Sequence, residues 1–305
     1  MAVFDCTMFF NENDILEVRI NEHWDHVDKF IIIEAEETHT GLPKPLNFDH
    51  ERFAPYKSKI EYRAIKNFHD AMLEFPEINC SIGRREHNNH LDWARDHFQW
   101  NYTYTVLQEL GADDYDIVYF SCLDEIFKPM AFEKAKDILL NNKTSHTAYN
   151  WTNHSVIDRD LLPCIAFNMY MYAFKINLLR FSPSNNYISG AITFVKNFKK
   201  FLPATLRTCA IVTHDHIHDG GWHFSYIDST DGEFIVKKYK SWAHANDDIN
   251  GFRRSYIDDP MDALKFMLNE FDMSLERSVV PIAKGTHPDY IVNNLDKFDL
   301  MIYKN

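Results

Sequence analysis

The sequence predicts one mixed α/β domain over residues 1–305, in which helices flank a mixed central sheet. Apolar runs without alternation at 3–10, 27–34 and 117–120 are bounded by polar residues, which is typical of buried interior strands. The segment 90–110 instead carries apolar residues at helical spacing. No internal repeat, Gly/Ser-rich linker or low-complexity tract marks a domain boundary.

The first half of the chain is predicted to alternate strands and helices. The strand at 3–10 precedes a helix that turns four apolar residues inward, namely Ile15, Leu16, Val18 and Ile20. The strand at 27–34 is followed by a polar loop and by an alternating strand at 59–65. The helix at 90–110 then leads to the strand at 117–120.

The second half is predicted to add three strands and two helices. Alternating residues favour strands at 161–174 and 213–221, and a further strand is predicted at 233–242. Two amphipathic helices, at 260–271 and 287–298, are expected to close the domain.

Composition excludes some function classes and leaves others open. The net charge of −13 argues against a bulk electrostatic grip on nucleic acid, and no polybasic segment suggests a membrane surface. The charged residues among the first twenty break any signal-peptide core, and no apolar run is long enough for membrane insertion. The five scattered cysteines have no CxxC spacing and are expected to be reduced in a cytoplasmic protein.

The stretch 115–126 is expected to organise the functional site. Asp124 and Glu125 directly follow a buried strand, and open α/β sheets bind ligands at the carboxyl ends of their strands. Pro129 is well placed as the first residue of the next helix. The alternative is that the two carboxylates cap or flank the start of that helix.

The polar loop at 35–47 is a second candidate for ligand binding, because it also follows a buried strand. Glu34, at the end of that strand, is a candidate for binding a ribose hydroxyl or a base edge. The alternative is an ion pair between Glu34 and Lys44 or Lys59.

A histidine-rich stretch at 213–221 raises a different enzyme class. His214, His216 and His218 alternate and would share one face of a strand, which invites a zinc hydrolase. The stretch nearly matches the motif His-x-His-x-Asp-His, but its last Asp and His are exchanged. The zinc hydrolase therefore stays a minor alternative.

Ordered blocks along nearly the whole chain resemble one enzyme family. The blocks are Asp5–Glu12, Asp14–Arg19, Val27–Glu34, Thr38–Leu46, Trp93–Gln99, Tyr115–Ile126, Tyr149–Trp151, Gly221–Ser225 and His287–Phe298. Together they resemble glycosyltransferase family 17, the family of the β-1,4-mannosyl-glycoprotein 4-β-N-acetylglucosaminyltransferase. Each block alone is weakly specific, and their order along the chain makes the signal strong.

The resemblance implies a GT-A type, Rossmann-like fold and an inverting transfer of sugar, with GlcNAc from UDP-GlcNAc as the expected donor. The expected partners are a nucleotide-sugar donor and a glycan or glycoconjugate acceptor, with neither nucleic acid nor membrane insertion. Mn²⁺ or Mg²⁺ is the implied cofactor, because a divalent cation can neutralise the charge that develops on the leaving diphosphate. A positioned carboxylate would accept the proton of the acceptor hydroxyl.

Site residues follow from the resemblance. The donor-binding candidates are Glu34, Thr40, Lys44, Asp96, Gln99 and Asp124. The metal candidates are Asp124 and His244, and the acceptor candidates are Trp151, Trp222 and His223. Asp219 is the first candidate for the general base and Glu125 the second, although Asp219 also suits an ordinary turn before two glycines. The glycine pair would let the backbone approach a ligand closely.

Four positions depart from the family pattern, one of which, Phe127 in place of a Pro, is expected to matter little. Cys122 stands at the first Asp of the family's Asp-x-Asp motif, and a thiol is a poor ligand for Mg²⁺ or Mn²⁺. Trp100 replaces the Arg that follows Gln99, and Asp96 replaces a Glu of the same helix block. These changes leave open a catalytically weakened sugar-binding module on the same fold.

Overall fold

The computed structural model describes most of the chain. It covers residues 1–79, 90–141, 148–150, 155–157, 164–185, 187–210, 216–227, 229–230, 232–247, 253–263, 265 and 278–304. The strands are β1 (Val3–Phe9), β2 (Lys29–Ala35), β3 (Ile60–Ile65), β4 (Ile117–Phe120), β5 (Glu125–Phe127), β6 (Ala148–Asn150), β7 (Ser155–Ile157), β8 (Ile165–Ala173), β9 (Leu178–Phe181), β10 (Ile188–Phe194), β11 (His216–Ser225) and β12 (Ser278–Val279). The helices are α1 (Asn13–His23), α2 (Phe68–Glu74), α3 (His90–Glu109), α4 (Pro129–Leu140), α5 (Val195–Phe201), α6 (Pro203–Ala210), α7 (Glu233–Ser241) and α8 (Asp289–Asn293).

A mixed sheet of ten strands forms the centre of the molecule. Its main path runs β12-β9-β8-β10-β4-β1-β2-β3, and β11 pairs with both β8 and β5. The strands β3, β2, β1 and β4 are mutually parallel, and β10 adds an antiparallel strand beside β4. Chain order therefore reverses between β1 and β4, which creates a crevice at the carboxyl ends of these strands. This architecture confirms the predicted mixed α/β class.

Both faces of the sheet are covered, which explains the unbroken apolar runs. In β2, Phe30 and Ile32 belong to the core that includes the inward side of α1. Ile31 and Ile33 belong to the core on the opposite face, together with residues of α3. The four apolar residues of α1 that the sequence predicts to face inward are all buried.

One predicted strand is wrong. The segment 233–242 forms helix α7, whose buried residues include Ile235 and Tyr239, four positions apart. Its apolar residues follow the helical period rather than alternation, and Gly232 precedes the helix with a φ of +102°. At the C-terminus, the predicted helix at 287–298 is observed as the short α8 followed by a 3₁₀ turn.

The two glycines of β11 bring strands together rather than a ligand. The register of β11 against β8 shifts between Ile217 and Gly221. A Cβ atom on Gly221 would overlap the carbonyl oxygen of Ile126 in β5, so only glycine allows this approach. Asp219, just before the pair, has a φ of +55° in the left-handed region. The expectation that these glycines face a ligand is therefore wrong.

Candidate functional site

A cavity of about 310 Å³ lies where β1, β2 and β4 end. The segments that follow these strands each contribute to its wall: Phe10 and Glu12 follow β1, and Glu37–His39 follows β2. The turn Cys122–Glu125 follows β4. The cavity thus occupies the crevice that the strand order predicts. Further lining residues come from α3, α6, β11, α7 and the segment after α7; they include Trp93, Asp96, Gln99, Trp100, Arg207, His223, Lys238, Trp242 and His244.

Arg19, a buried residue of α1, shapes the turn that carries the two carboxylates. Its Nη1 donates hydrogen bonds to the carbonyl oxygens of Cys122, Leu123 and Glu125 at 2.7, 3.1 and 2.9 Å. Its Nη2 donates to Ser121 Oγ at 2.9 Å. One guanidinium therefore satisfies several acceptors of a turn that would otherwise leave them unpaired in the interior.

A buried ion pair and a neutral histidine hold this guanidinium in place. Arg19 Nη2 lies 2.5 Å from Asp5 Oδ1, and both side chains are fully buried. His23 Nδ1 donates to Asp5 Oδ2 at 2.6 Å, while its Nε2 accepts the N–H of Phe127 at 3.1 Å. Burial lowers the pKa of His23 to about 4, which keeps the ring neutral. Although burial opposes the charge of Asp5, Arg19 and His23 lower the pKa of this carboxyl.

Acidification is expected to destabilise the protein through His23. Its folded pKa of about 4 lies below its ordinary value of 6.5, so the unfolded chain takes up the proton first as pH falls. The stability from this group is complete above pH 6.5 and is lost as pH falls towards 4. The difference corresponds to about 3 kcal/mol, measurable by urea unfolding between about pH 7 and about pH 4.5.

A second buried histidine, His287, is expected to contribute to the pH dependence in the same way. His287 is buried too, its Nε2 bonds to the carbonyl of Ile176 at 2.9 Å, and burial lowers its pKa to about 4. We expect His23→Asn and His287→Asn each to flatten a separate share of the pH dependence. An unchanged pH dependence in His23→Asn would contradict a neutral buried His23.

Asp124 is the carboxylate that faces the cavity from the tip of the turn. Its Oδ2 lies 3.6 Å from His223 Nε2 and 3.7 Å from Lys238 Nζ. Although burial favours the neutral acid, the neighbouring His223 and Lys238 hold the pKa of Asp124 well below its ordinary value. The His223 ring also stacks on Tyr187, with a centroid distance of 5.3 Å. The cavity therefore contains an ionised carboxylate between two nitrogen groups.

Glu125 and Cys122 face a second cation. Glu125 Oε2 accepts the backbone N–H of Cys122 at 2.9 Å, and its Oε1 lies 3.5 Å from Arg207 Nη2. The same nitrogen of Arg207 lies 2.8 Å from Cys122 Sγ. Burial raises the pKa of the Cys122 thiol, so this sulfur is protonated and neutral at physiological pH. Neither carboxylate caps α4, because Lys128 is the residue that precedes the helix and Pro129 begins it.

The donors at this turn suit Mg²⁺ or Mn²⁺ poorly. Among the described residues, Cys122, Asp124 and Glu125 are the group whose potential ligand atoms cluster, within 4.8 Å of one another. One of the three is a thiol, and these hard ions prefer oxygen ligands. Each of the three also faces a protein cation, Arg207 or Lys238. A divalent ion there would meet two positive charges already in place.

His244 lines the cavity but does not join this group of potential ligands. Its Nδ1 bonds to Asp247 Oδ2 at 2.6 Å, and its ring lies against Trp93 and Trp242 with centroid distances of 4.5 and 4.8 Å. The metal pair Asp124 and His244 therefore lacks support from the geometry. The Mn²⁺ or Mg²⁺ cofactor stays a prediction.

Glu34 anchors the loop after β2 instead of facing the cavity. The side chain is fully buried and ion-paired with Lys44 Nζ at 2.7 Å. It also accepts hydrogen bonds from the N–H groups of Asn47 and Phe48 and from the hydroxyl of Tyr62, at 2.7, 3.2 and 2.9 Å. The ion pair with Lys44 is thus the alternative that the structure supports, and Glu34 has no oxygen directed at a ribose. Lys44 itself lines the cavity.

Of the other donor-binding candidates, Thr40 lies away from the cavity, whereas Asp96 and Gln99 line it. Thr40 Oγ1 donates to the carbonyl of Lys240 at 2.7 Å and does not line the cavity. Asp96 and Gln99 line the wall on α3 and flank His39. His39 Nε2 lies 2.9 Å from Gln99 Oε1, and its Nδ1 lies 3.7 Å from Asp96 Oδ1.

The structure does not bring the first candidate base to the cavity. Asp219 is exposed and ion-paired with Lys128 Nζ at 2.6 Å, outside the cavity wall. Its left-handed backbone and its place before a glycine pair fit the turn alternative. Trp222 is buried behind the wall, with Lys128 Nζ 5.4 Å from its ring centroid, so it cannot stack on a sugar in the cavity. His223, the next residue, does line it.

Two further predictions depend on residues that are not described. Trp151 and His214 lie outside the described residues. His216 and His218, the other members of the zinc alternative, do not line the cavity. The zinc hydrolase consequently gains no support from the described part of the chain.

Fold and site together define an α/β enzyme with a charged ligand cavity at the switch point of a Rossmann-like sheet. Residues 1–138 match the family model of glycosyltransferase family 17. Residues 1–138 are therefore similar to that family, and the match supports a glycosyltransferase enzyme, a class that uses a sugar donor and a glycan acceptor. No curated protein matches the chain. Among the described helices, none has the length and apolar character that crossing a membrane requires.

The matched region supplies the segments after β1, β2 and β4 and the part of the cavity wall that comes from α3. It contains β1 to β5 and most of α4, and with them the turn Cys122–Glu125. The resemblance at Gly221–Ser225 and His287–Phe298 lies beyond the match and stays a prediction. Sequence reasoning missed Arg207 and the role of Arg19. A charged residue among the inward-facing positions of α1 is the signal that could have identified Arg19.

Proposed function

We propose that this glycosyltransferase moves a sugar from a nucleotide-sugar donor to a hydroxyl of a glycan acceptor, with inversion at the anomeric carbon. GlcNAc from UDP-GlcNAc is the first donor to test. One observation carries the proposal: two carboxylates, Asp124 and Glu125, line a cavity at the strand ends together with the cations Arg207 and Lys238. Such a site offers acceptors for sugar hydroxyls and positive charge for a leaving diphosphate.

In the proposed step, the acceptor oxygen attacks the anomeric carbon and forms the new glycosidic bond. The bond between that carbon and the diphosphate oxygen breaks, and its electron pair leaves with the nucleoside diphosphate. The proton of the acceptor hydroxyl passes to a carboxylate. Of the two candidate bases, Glu125 lines the cavity and Asp219 does not, so we assign this role to Glu125.

Hydrogen bonds prepare Glu125 for this role. The backbone N–H of Cys122 donates to Oε2 at 2.9 Å, and Arg207 Nη2 lies 3.5 Å from Oε1. Asp124 is assigned to a hydroxyl of the donor sugar, since its carboxylate is ionised and faces the cavity beside His223. Aromatic residues of the wall offer faces for stacking on a base or a sugar ring; they include Phe10, Trp93, Trp100, Tyr187, Tyr226 and Trp242.

A donor screen tests the proposal. The full chain is incubated with UDP-, GDP-, CDP- and ADP-linked sugars, a mixture of oligosaccharide acceptors, and either EDTA or Mn²⁺. Mass spectrometry then identifies acceptors that gain one sugar residue. We expect transfer from at least one donor. Sugar binding without nucleotide binding or turnover would instead support a weakened binding module.

Two carboxylate variants locate the base. Glu125→Gln keeps the shape of the side chain and is expected to lower transfer by about 10²-fold to 10⁴-fold. Asp219→Asn, at the exposed turn, is expected to keep transfer near that of the wild type. The opposite pattern would return the role of general base to Asp219.

A further inference from the structure

We infer that Arg207 and Lys238 bind the diphosphate of the donor in the place where a divalent metal would otherwise do so. This inference rests on the proposed function, and it assigns to two side-chain cations the role of neutralising the leaving group. Arg207 comes from α6 and Lys238 from α7, and both line the cavity on either side of the turn at 122–125. The metal cofactor implied by the family resemblance is then unnecessary.

The ion pairs that the two cations make with carboxylates are long enough for a ligand to displace them. Lys238 Nζ lies 3.3 Å from Glu12 and 3.7 Å from Asp124, and Arg207 Nη2 lies 3.5 Å from Glu125. Charge-assisted hydrogen bonds between nitrogen and oxygen are ordinarily about 2.7–2.9 Å long. These groups therefore surround a shared space instead of closing on one another. A diphosphate group, which carries more negative charge in total than one carboxylate, can place an oxygen in that space.

Both departures from the family pattern that bear on charge meet at Arg207. Its guanidinium carbon lies 5.1 Å from the ring centroid of Trp100, which occupies the position of a family Arg. Its Nη2 contacts Cys122, which occupies the position of a metal-binding Asp. The fold thus supplies a guanidinium from α6 beside the two positions where the sequence lacks an Arg and an Asp. Trp100 and Cys122 therefore both contact the same guanidinium, that of Arg207.

The neutral thiol is part of the same arrangement. An Asp at position 122 would add a negative charge against Arg207 and form a close ion pair with it. A thiol is only a weak hydrogen-bond acceptor, so its contact with Arg207 Nη2 at 2.8 Å does not neutralise the guanidinium. Lys238 is also positive at physiological pH: burial opposes its charge, but Asp124 and Glu12 raise its pKa above the ordinary value. The site therefore has two fixed cations without any bound ion.

Calorimetric titration with nucleoside diphosphates tests the inference. UDP, GDP, CDP and ADP are each titrated into the full chain in EDTA and then in Mn²⁺, with the matching monophosphates for comparison. We expect one diphosphate to bind about equally in both conditions and more tightly than its monophosphate. Lys238→Gln and Arg207→Met are each expected to weaken that binding by roughly 10-fold to 100-fold. Lys238→Arg and Arg207→Lys, which keep the charge, should recover part of it.

Matched variants make the result decisive. Lys240→Gln removes the same charge from α7 at an exposed ion pair with Asp258, and it should bind the diphosphate as the wild type does. Cys122→Asp should weaken binding in EDTA and gain a response to Mn²⁺. Diphosphate binding that requires Mn²⁺ in the wild type would overturn the inference and leave the transferase proposal standing. Failure of every nucleotide to bind in either condition would overturn both.

Discussion

Asp124→Asn is expected to lower sugar transfer by about 10²-fold or more, because a positioned carboxylate that orients the donor sugar is lost. The substitution keeps the size of the side chain and removes the charge that faces His223 and Lys238. Since that charge competes with the diphosphate for Lys238, affinity for the nucleoside diphosphate should not fall. Initial rates and calorimetric titration in EDTA measure the two effects separately.

The control for this variant lies just before the same strand. Asp114→Asn removes an exposed carboxylate at the other end of β4, and both rate and affinity should stay at wild-type values. The alternative role for Asp124 is that of a metal ligand. In that case nucleotide binding would require Mn²⁺ in the wild type and disappear in Asp124→Asn.

Strand positions and the location of the site follow from local sequence. A run such as Phe30–Ile33 is apolar on both faces, so the strand must lie inside a sheet that is covered on both sides. In open α/β sheets of this kind, ligands bind at the carboxyl ends of the strands. The turn at 122–125 could therefore be assigned to the cavity before its neighbours were known. Helix α7 was missed because a short apolar run fits both the helical period and alternation.

In the rest of the wall, Asp96, Gln99, His223 and His244 are named from the family resemblance, but the contacts of Arg207 and Lys238 could not be predicted from local sequence. Arg207 is 85 residues from Cys122 in sequence, and Lys238 is 226 residues from Glu12. Contacts at such separations are set by the packing of α6 and α7 on the sheet. Asp219 illustrates the opposite error, since a carboxylate before two glycines fits both a catalytic loop and a turn. Only the position of Asp219 relative to the cavity separates the catalytic loop from the turn.

The second large effect is expected on stability, from a substitution of the buried Arg19. Arg19→Met is expected to lower the free energy of unfolding by about 3–5 kcal/mol, because Asp5 then remains as a buried charge without its partner. The same change removes the donor for three carbonyl oxygens of the turn. Urea unfolding measures the loss of stability. Arg63→Met, at a partly exposed ion pair on β3, should cost only about 0–1 kcal/mol.

The double variant Asp5→Leu with Arg19→Met separates charge from geometry. Replacing both partners by apolar residues removes the uncompensated charge, so stability should recover in part relative to Arg19→Met. Transfer should not recover, because the carbonyl oxygens of Cys122, Leu123 and Glu125 still lack their donor. Recovery of both would mean that the turn keeps its shape without Arg19. Recovery of stability alone would show that this buried guanidinium holds the two carboxylates of the cavity in position.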